Sequence, residues 1–97
     1  MNATICDAIR EQLCLELSYD GYARVVEPHA YGVTKAGNAV VRVWQVRGGS
    51  AHNERAGWKL LRVDETRAIK LLDEKSQAPR PGYKHGDKAM QRIYCQV

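Results

Sequence analysis

Three arginines stand where a cation is costly. Arg24, Arg42 and Arg62 each interrupt a run of apolar, strand-forming residues: Tyr22 to Val26, Val40 to Trp44, and Leu60 to Val63. A bare cation in such surroundings needs water, a carboxylate or an anionic ligand. The planar guanidinium fork suits phosphate and carboxylate, because it makes paired, charge-assisted hydrogen bonds. Tyr31, Trp44 and Trp58 (and Tyr19) add flat faces on which a base could stack, at about 1–3 kcal/mol per base. Arg24, Arg42, Arg62, Tyr31, Trp44 and Trp58 are therefore the candidate ligand-binding set. The ligand they suit is an anionic small molecule, a nucleotide or a short single-stranded nucleic acid. The competing account makes the aromatics core residues and pairs Arg24 or Arg62 with Glu27 or Asp64.

Other chemistry is sparse. His29, His52 and His85 lie far apart and form no metal motif, so neither a metal nor a cofactor is expected. Lys84-His85-Gly86-Asp87 has a nuclease-like flavour, and His85 with Asp87 gives a third, hydrolytic reading; a solvated tail accounts for the same residues. With no P-loop, dinucleotide fingerprint or nucleophile elbow, no catalytic residue is assigned and the chain reads as a non-enzyme. Cys6, Cys14 and Cys95 have no Cys-x-x-Cys spacing, and an odd count in a non-secreted chain predicts free, mostly buried thiols.

These side chains need elements to hold them. The chain has 97 residues, 44% hydrophobic and 27% charged, with a net charge of +4. That suits one small globular domain with a mild preference for anionic partners. No apolar run reaches the ~18 residues of a membrane span. Asp7, Arg10 and Glu11 occupy the place of a signal peptide's apolar core, which predicts a cytoplasmic protein.

Asn2 is a fair N-cap, and Ile5, Ala8 and Ile9 fall at helical spacing, predicting one short helix over residues 3–11. Leu13 to Tyr19 alternates with period two, Asp20-Gly21 is a strong turn, and a second arm runs to Pro28, which should close it. A turn over 32–38 precedes a third strand, Ala39 to Arg47. Its Val41, Val43 and Gln45 lie on one face, and Val40, Arg42, Trp44 and Val46 on the other. A long polar loop, 48–57, leads to a fourth strand, Trp58 to Asp64, a bend at Glu65-Thr66, and a fifth strand, Ala68 to Asp73. Residues 74–88 are rich in Pro, Gly and charge and predict an extended tail that wraps rather than packs. Met90, Ile93 and Tyr94 could anchor a last strand or helical turn. The pattern is mainly β: one domain over 1–97, with a helix and about five antiparallel strands in a small barrel over about 3–73, and a tail over 74–97.

Certain residues in this order resemble the WYL domain of bacteria and their phages. They are the helix with Ala8-Ile9, the strand to Tyr19, the Arg24-x-Val26-Glu27-Pro28 run, the glycine turn at Gly37, and Lys59-x-Leu61-Arg62-Val63-Asp64. The likeness covers roughly residues 3–73. Ala39-Val40-Val41 stands in place of the namesake Trp-Tyr-Leu, and Leu61 replaces an aromatic. The resemblance implies a Sm-like or SH3-like barrel acting as a sensor for an anionic ligand, in regulation or phage defence, with Arg24 and Arg62 lining the pocket. The alternative is an interaction module that docks on a regulatory protein or a second copy of itself.

Overall fold

A computed structural model describes residues 2–51 and 56–97. His52 and the middle of the predicted 48–57 loop lie outside the described residues. Among the described residues the fold is mainly β with one N-terminal helix, and six strands where about five were expected. Helix α1 spans Ala3–Glu11, as its spacing predicts. The Asn2 side chain caps it by accepting a hydrogen bond from the Ile5 amide at 3.1 Å. Gln12, in left-handed backbone, ends it. Strand β1 is Leu13–Tyr19 and β2 is Tyr22–Val33. Asp20 and Gly21 both take positive φ between them, the geometry of a tight hairpin whose twist matches its strands.

Pro28 does not close β2. The strand runs on for five residues, because Pro28 falls where one edge of β2 changes partner. Strand β1 pairs from Tyr22 to Val26. Strand β6, Arg92–Gln96, joins the same edge from Ala30 to Val33. A proline in that gap forfeits no ladder bond. Along the other edge β2 pairs with β3, Ala39–Gly48, and a register shift between Pro28 and Ala30 leaves His29 as the extra residue of a bulge. Strand β4 is Gly57–Arg62, followed by one 3-10 turn over Val63–Glu65 and β5, Thr66–Lys75. The fourth strand thus stops two residues earlier than expected, and the fifth is longer at both ends.

The ladder order is β4-β3-β2-β1-β5. The two end strands, β4 and β5, follow one another in sequence through the 3-10 turn, so the sheet curls until its ends meet at a corner. Among the described residues no ladder closes that corner. Cross-strand neighbours share a face, and the inner face carries Leu15, Leu17, Val26, Tyr31, Val41, Val43 and Leu61. Helix α1 fills it with Ile5, Cys6, Ala8 and Ile9.

The tail and the cysteines also depart from expectation. The tail packs: Ala78, Asp87 and Met90 are buried, and residues 76–90 form a strap across the outer face of β2, β3 and β4. Its composition signalled turns, but its anchors are side chains on β2 some fifty residues away. The cysteines are not all free: Cys6 and Cys95 form a disulfide joining α1 to β6, and only Cys14 is a thiol. Helix α1 lies against β6, which brings two cysteines 89 residues apart in sequence into bonding range. Burial, then Glu74 and Glu27, push the Cys14 thiol up to about 11.

Candidate ligand cleft

The outer face of the sheet is built from register. Val40, Arg42 and Trp44 on β3 pair with Arg62, Leu60 and Trp58 on β4, so all six side chains share that face. On β2, Glu27 pairs with Trp44 and His29 sits at the bulge beside it. The strap is fastened to these two residues. Glu27, 2% exposed, accepts from Arg80 Nε at 2.7 Å and Nη2 at 3.2 Å, and from the Gln77 amide at 2.8 Å. His29, fully buried, accepts the Arg80 amide on Nε2 at 3.0 Å, while its Nδ1 lies 2.8 Å from the Glu27 carbonyl oxygen. The Arg80 guanidinium rests over Trp44, 5.3 Å from the ring centroid. The His29 ring packs against Trp58 at 4.7 Å and Tyr83 at 5.1 Å between centroids. Burial lowers the His29 pKa and raises that of Tyr83.

Residues 82–89 of the strap, with Arg42 and Trp58 of the sheet, line a cleft of about 530 Å³, within the size range of small-molecule sites. One wall is Trp58 and Tyr83; around it stand Arg42, Lys84, Lys88, His85 and Asp87. The two aromatic rings are 6.3 Å apart and inclined by 27°. Asp87 holds Arg42 at its Nε (2.7 Å) and Nη2 (3.3 Å) and caps the Ala89 amide at 2.9 Å. The Arg42 hydrogen bond keeps the Asp87 carboxyl below its ordinary pKa. The lining holds three cations, Arg42, Lys84 and Lys88, and one carboxylate, Asp87, so it is formally cationic.

The six residues read from the sequence separate. Arg42 and Trp58 line the cleft. Trp44 lies behind it, edge-on to Trp58 at 5.4 Å and covered by Arg80. Arg62 shares the face but is exposed and bonded to Asp64, at 2.9 and 3.2 Å, and to Asn38. Arg24 and Tyr31 are elsewhere. Arg24 pairs with Leu17 of the inner face and is 4% exposed. It donates to Gln45 Oε1 and the Tyr19 carbonyl, both at 3.2 Å, with its guanidinium over the Tyr19 and Tyr22 rings. Its Nε has no partner among the described residues. Tyr31 is core, its hydroxyl accepting from the Asn2 amide.

The expected pairing of an arginine with Glu27 occurs, but the arginine is Arg80. Arg62 with Asp64 occurs as expected. Sequence patterning does not single out Tyr83, Lys84 or Lys88, which also line the cleft. The sequence signal for Tyr83 and Lys84 is the pair of glycines that brackets them, Gly82 and Gly86, both of which take positive φ in the structure; Lys88 has none. His85 and Asp87 bond to different partners: His85 Nδ1 lies 2.9 Å from the Val97 oxygen, while Asp87 faces Arg42. No hydrogen bond joins His85 to Asp87 among the described residues. No family model, curated protein or solved structure matches the chain.

Proposed function

We propose that the protein is a non-enzymatic binding module, a WYL-like sensor domain, that holds an anionic ligand with a planar ring in the cleft between β3–β4 and the strap. A nucleotide or the end of a short single strand has that chemistry. One observation carries the reading: the wall of Trp58 and Tyr83 adjoins Arg42, Lys84 and Lys88 in one cleft. A ring would stack on the aromatics, and phosphate would meet the lysines and the side of the Arg42 fork that Asp87 leaves uncovered. Arg42 and Asp87 form a preset pair, so the exposed lysines supply the net charge that draws the ligand in. The cytoplasmic location read from the sequence belongs to the same proposal, and the Cys6–Cys95 bond weighs against it, since disulfides persist in oxidising compartments. No helix of the described residues is long and apolar enough to cross a membrane.

Trp58 is a built-in reporter. Titration with nucleoside mono- and diphosphates should quench tryptophan fluorescence with saturation below about millimolar, and added salt should weaken binding. Replacing Lys84 and Lys88 together by Ala should cost about tenfold or more in affinity, the scale of a charge-assisted hydrogen bond. Anisotropy with a short labelled oligonucleotide separates polymer from mononucleotide. If neither ligand class saturates, docking of a protein partner on the cleft replaces this reading.

A further inference from the structure

The contacts around His29 fix its protonation state. Nε2 accepts the Arg80 amide proton, so it carries no proton of its own. Nδ1 faces the Glu27 carbonyl oxygen, so it is the nitrogen that carries the hydrogen. This is one tautomer of a neutral imidazole, fixed from both sides. A second proton on Nε2 would set donor against donor at the Arg80 amide, and would place a cation in a fully buried site beside the Arg80 guanidinium.

We propose that His29 is a proton-operated latch beneath the cleft: protonation breaks its bond to the Arg80 amide and frees the strap over 77–83. The inference rests on the cleft reading, because it assigns that site a regulation. The latch reaches the cleft directly. The His29 ring touches both Trp58 and Tyr83, the two aromatics of the binding wall. Tyr83 belongs to the strap and Trp58 to the sheet, so a lifted strap divides the wall.

Among the described residues the groups facing His29 are few. From β2 comes Glu27, whose carbonyl and carboxylate favour the protonated ring. From the strap come Arg80, which opposes the charge, and Tyr83, whose hydroxyl lies 3.5 Å from the His29 carbonyl. From β4 comes uncharged Trp58. After β6, the Val97 amide donates to the His29 carbonyl, and the Val97 oxygen takes the Tyr83 hydroxyl. Burial is the largest influence and lowers the imidazole pKa. The sign follows. The unfolded chain takes up the proton first as pH falls, so the latch stabilises the strap fully above the ordinary histidine pKa. It then weakens as pH falls toward the lower value of the folded state.

The test uses the full chain. Hydrogen-exchange protection of the amides over 77–83 is measured from about pH 7 to about pH 4.5, a window that spans the ordinary imidazole pKa and the values below it. Protection there should fall by up to about tenfold per pH unit between the free and folded values of the imidazole. The inner-strand amides of β1 and β3 should keep theirs. His29→Gln, whose amide oxygen can accept the Arg80 amide without titrating, should flatten the profile. Should that variant not fold, the His29 ring resonances of the unaltered protein must titrate together with the strap amides. Loss of protection in the core and the strap together, or in neither, would overturn the latch. A nucleotide that binds equally well across the window with the strap protected overturns the latch and leaves the cleft reading standing. A strap that loosens on schedule while no nucleotide binds at any pH supports the latch and removes the cleft reading.

Discussion

Replacing Glu27 by Gln should loosen the strap and cost a large part of the protein's stability. The Glu27 carboxylate accepts three hydrogen bonds from the strap, two of them from a guanidinium. Removing one partner of a buried ion pair costs about 3–5 kcal/mol, because the other charge is left without compensation. The Arg80 side chain is 22% exposed and can turn partly to water, so the lower end applies, about 3 kcal/mol. The amide of Gln restores one acceptor, worth about 1 kcal/mol, which leaves a net loss of about 2 kcal/mol. For a chain near 100 residues about 1 kcal/mol moves Tm by about 4–8 °C, so the variant should melt about 8–16 °C lower. A double-mutant cycle with Arg80→Gln, followed by circular dichroism melts, isolates the pair. The double variant should recover part of the loss, since it leaves neither charge buried alone. A change in Tm below about 3 °C in Glu27→Gln, or strict additivity in the cycle, would show that the carboxylate does not fasten the strap.

Two further expectations concern the covalent and steric frame. Thiol titration in denaturant without reductant should count one thiol per chain, Cys14, and three after reduction; without denaturant Cys14 should resist alkylation at neutral pH, because burial holds it as a thiol. Three thiols before reduction would mean that Cys6 and Cys95 are not bonded. Gly32→Ala would drive a Cβ into the Arg92 carbonyl and close to the Met90 sulfur, so β6 should undock and Tm should fall by the equivalent of about 1–3 kcal/mol, as overpacking costs elsewhere; an unchanged melt would show that β6 is not seated as described.

Local chemistry made most of the barrel legible. The cap and spacing of α1, the alternation of β1, the Asp20-Gly21 turn and the two faces of β3 are properties of short windows, and each stands where it was expected. Pro28 misled because its cost depends on what lies beside it, and here that is a gap between β1 and β6. The strap was illegible for a related reason: Arg80 reveals its role only once Glu27 is beside it. Of the site, Arg42 and Trp58 could be read, since a cation or indole on an otherwise apolar face is conspicuous. Lys84 and Lys88 sit in an aperiodic stretch, where a binding lysine and a solvated one look alike. Arg24 shows the limit of the argument: its apolar neighbours signalled burial, and it is buried, but on the inner face with Gln45 and two tyrosines, away from the cleft.

The division of one edge of β2 between β1 and β6 sets an order of events in folding. The β1–β2 hairpin closes over a two-residue turn and can form in microseconds. Strand β6 must find the other half of the same edge from some sixty residues downstream, and loop closure over that distance has to be met before any contact rewards it. On a ribosome the half-edge from Ala30 to Val33 waits unpaired until β6 emerges. The nascent barrel therefore passes through a stage in which an apolar strand end is open to any extended chain, and the arrival of β6 ends it.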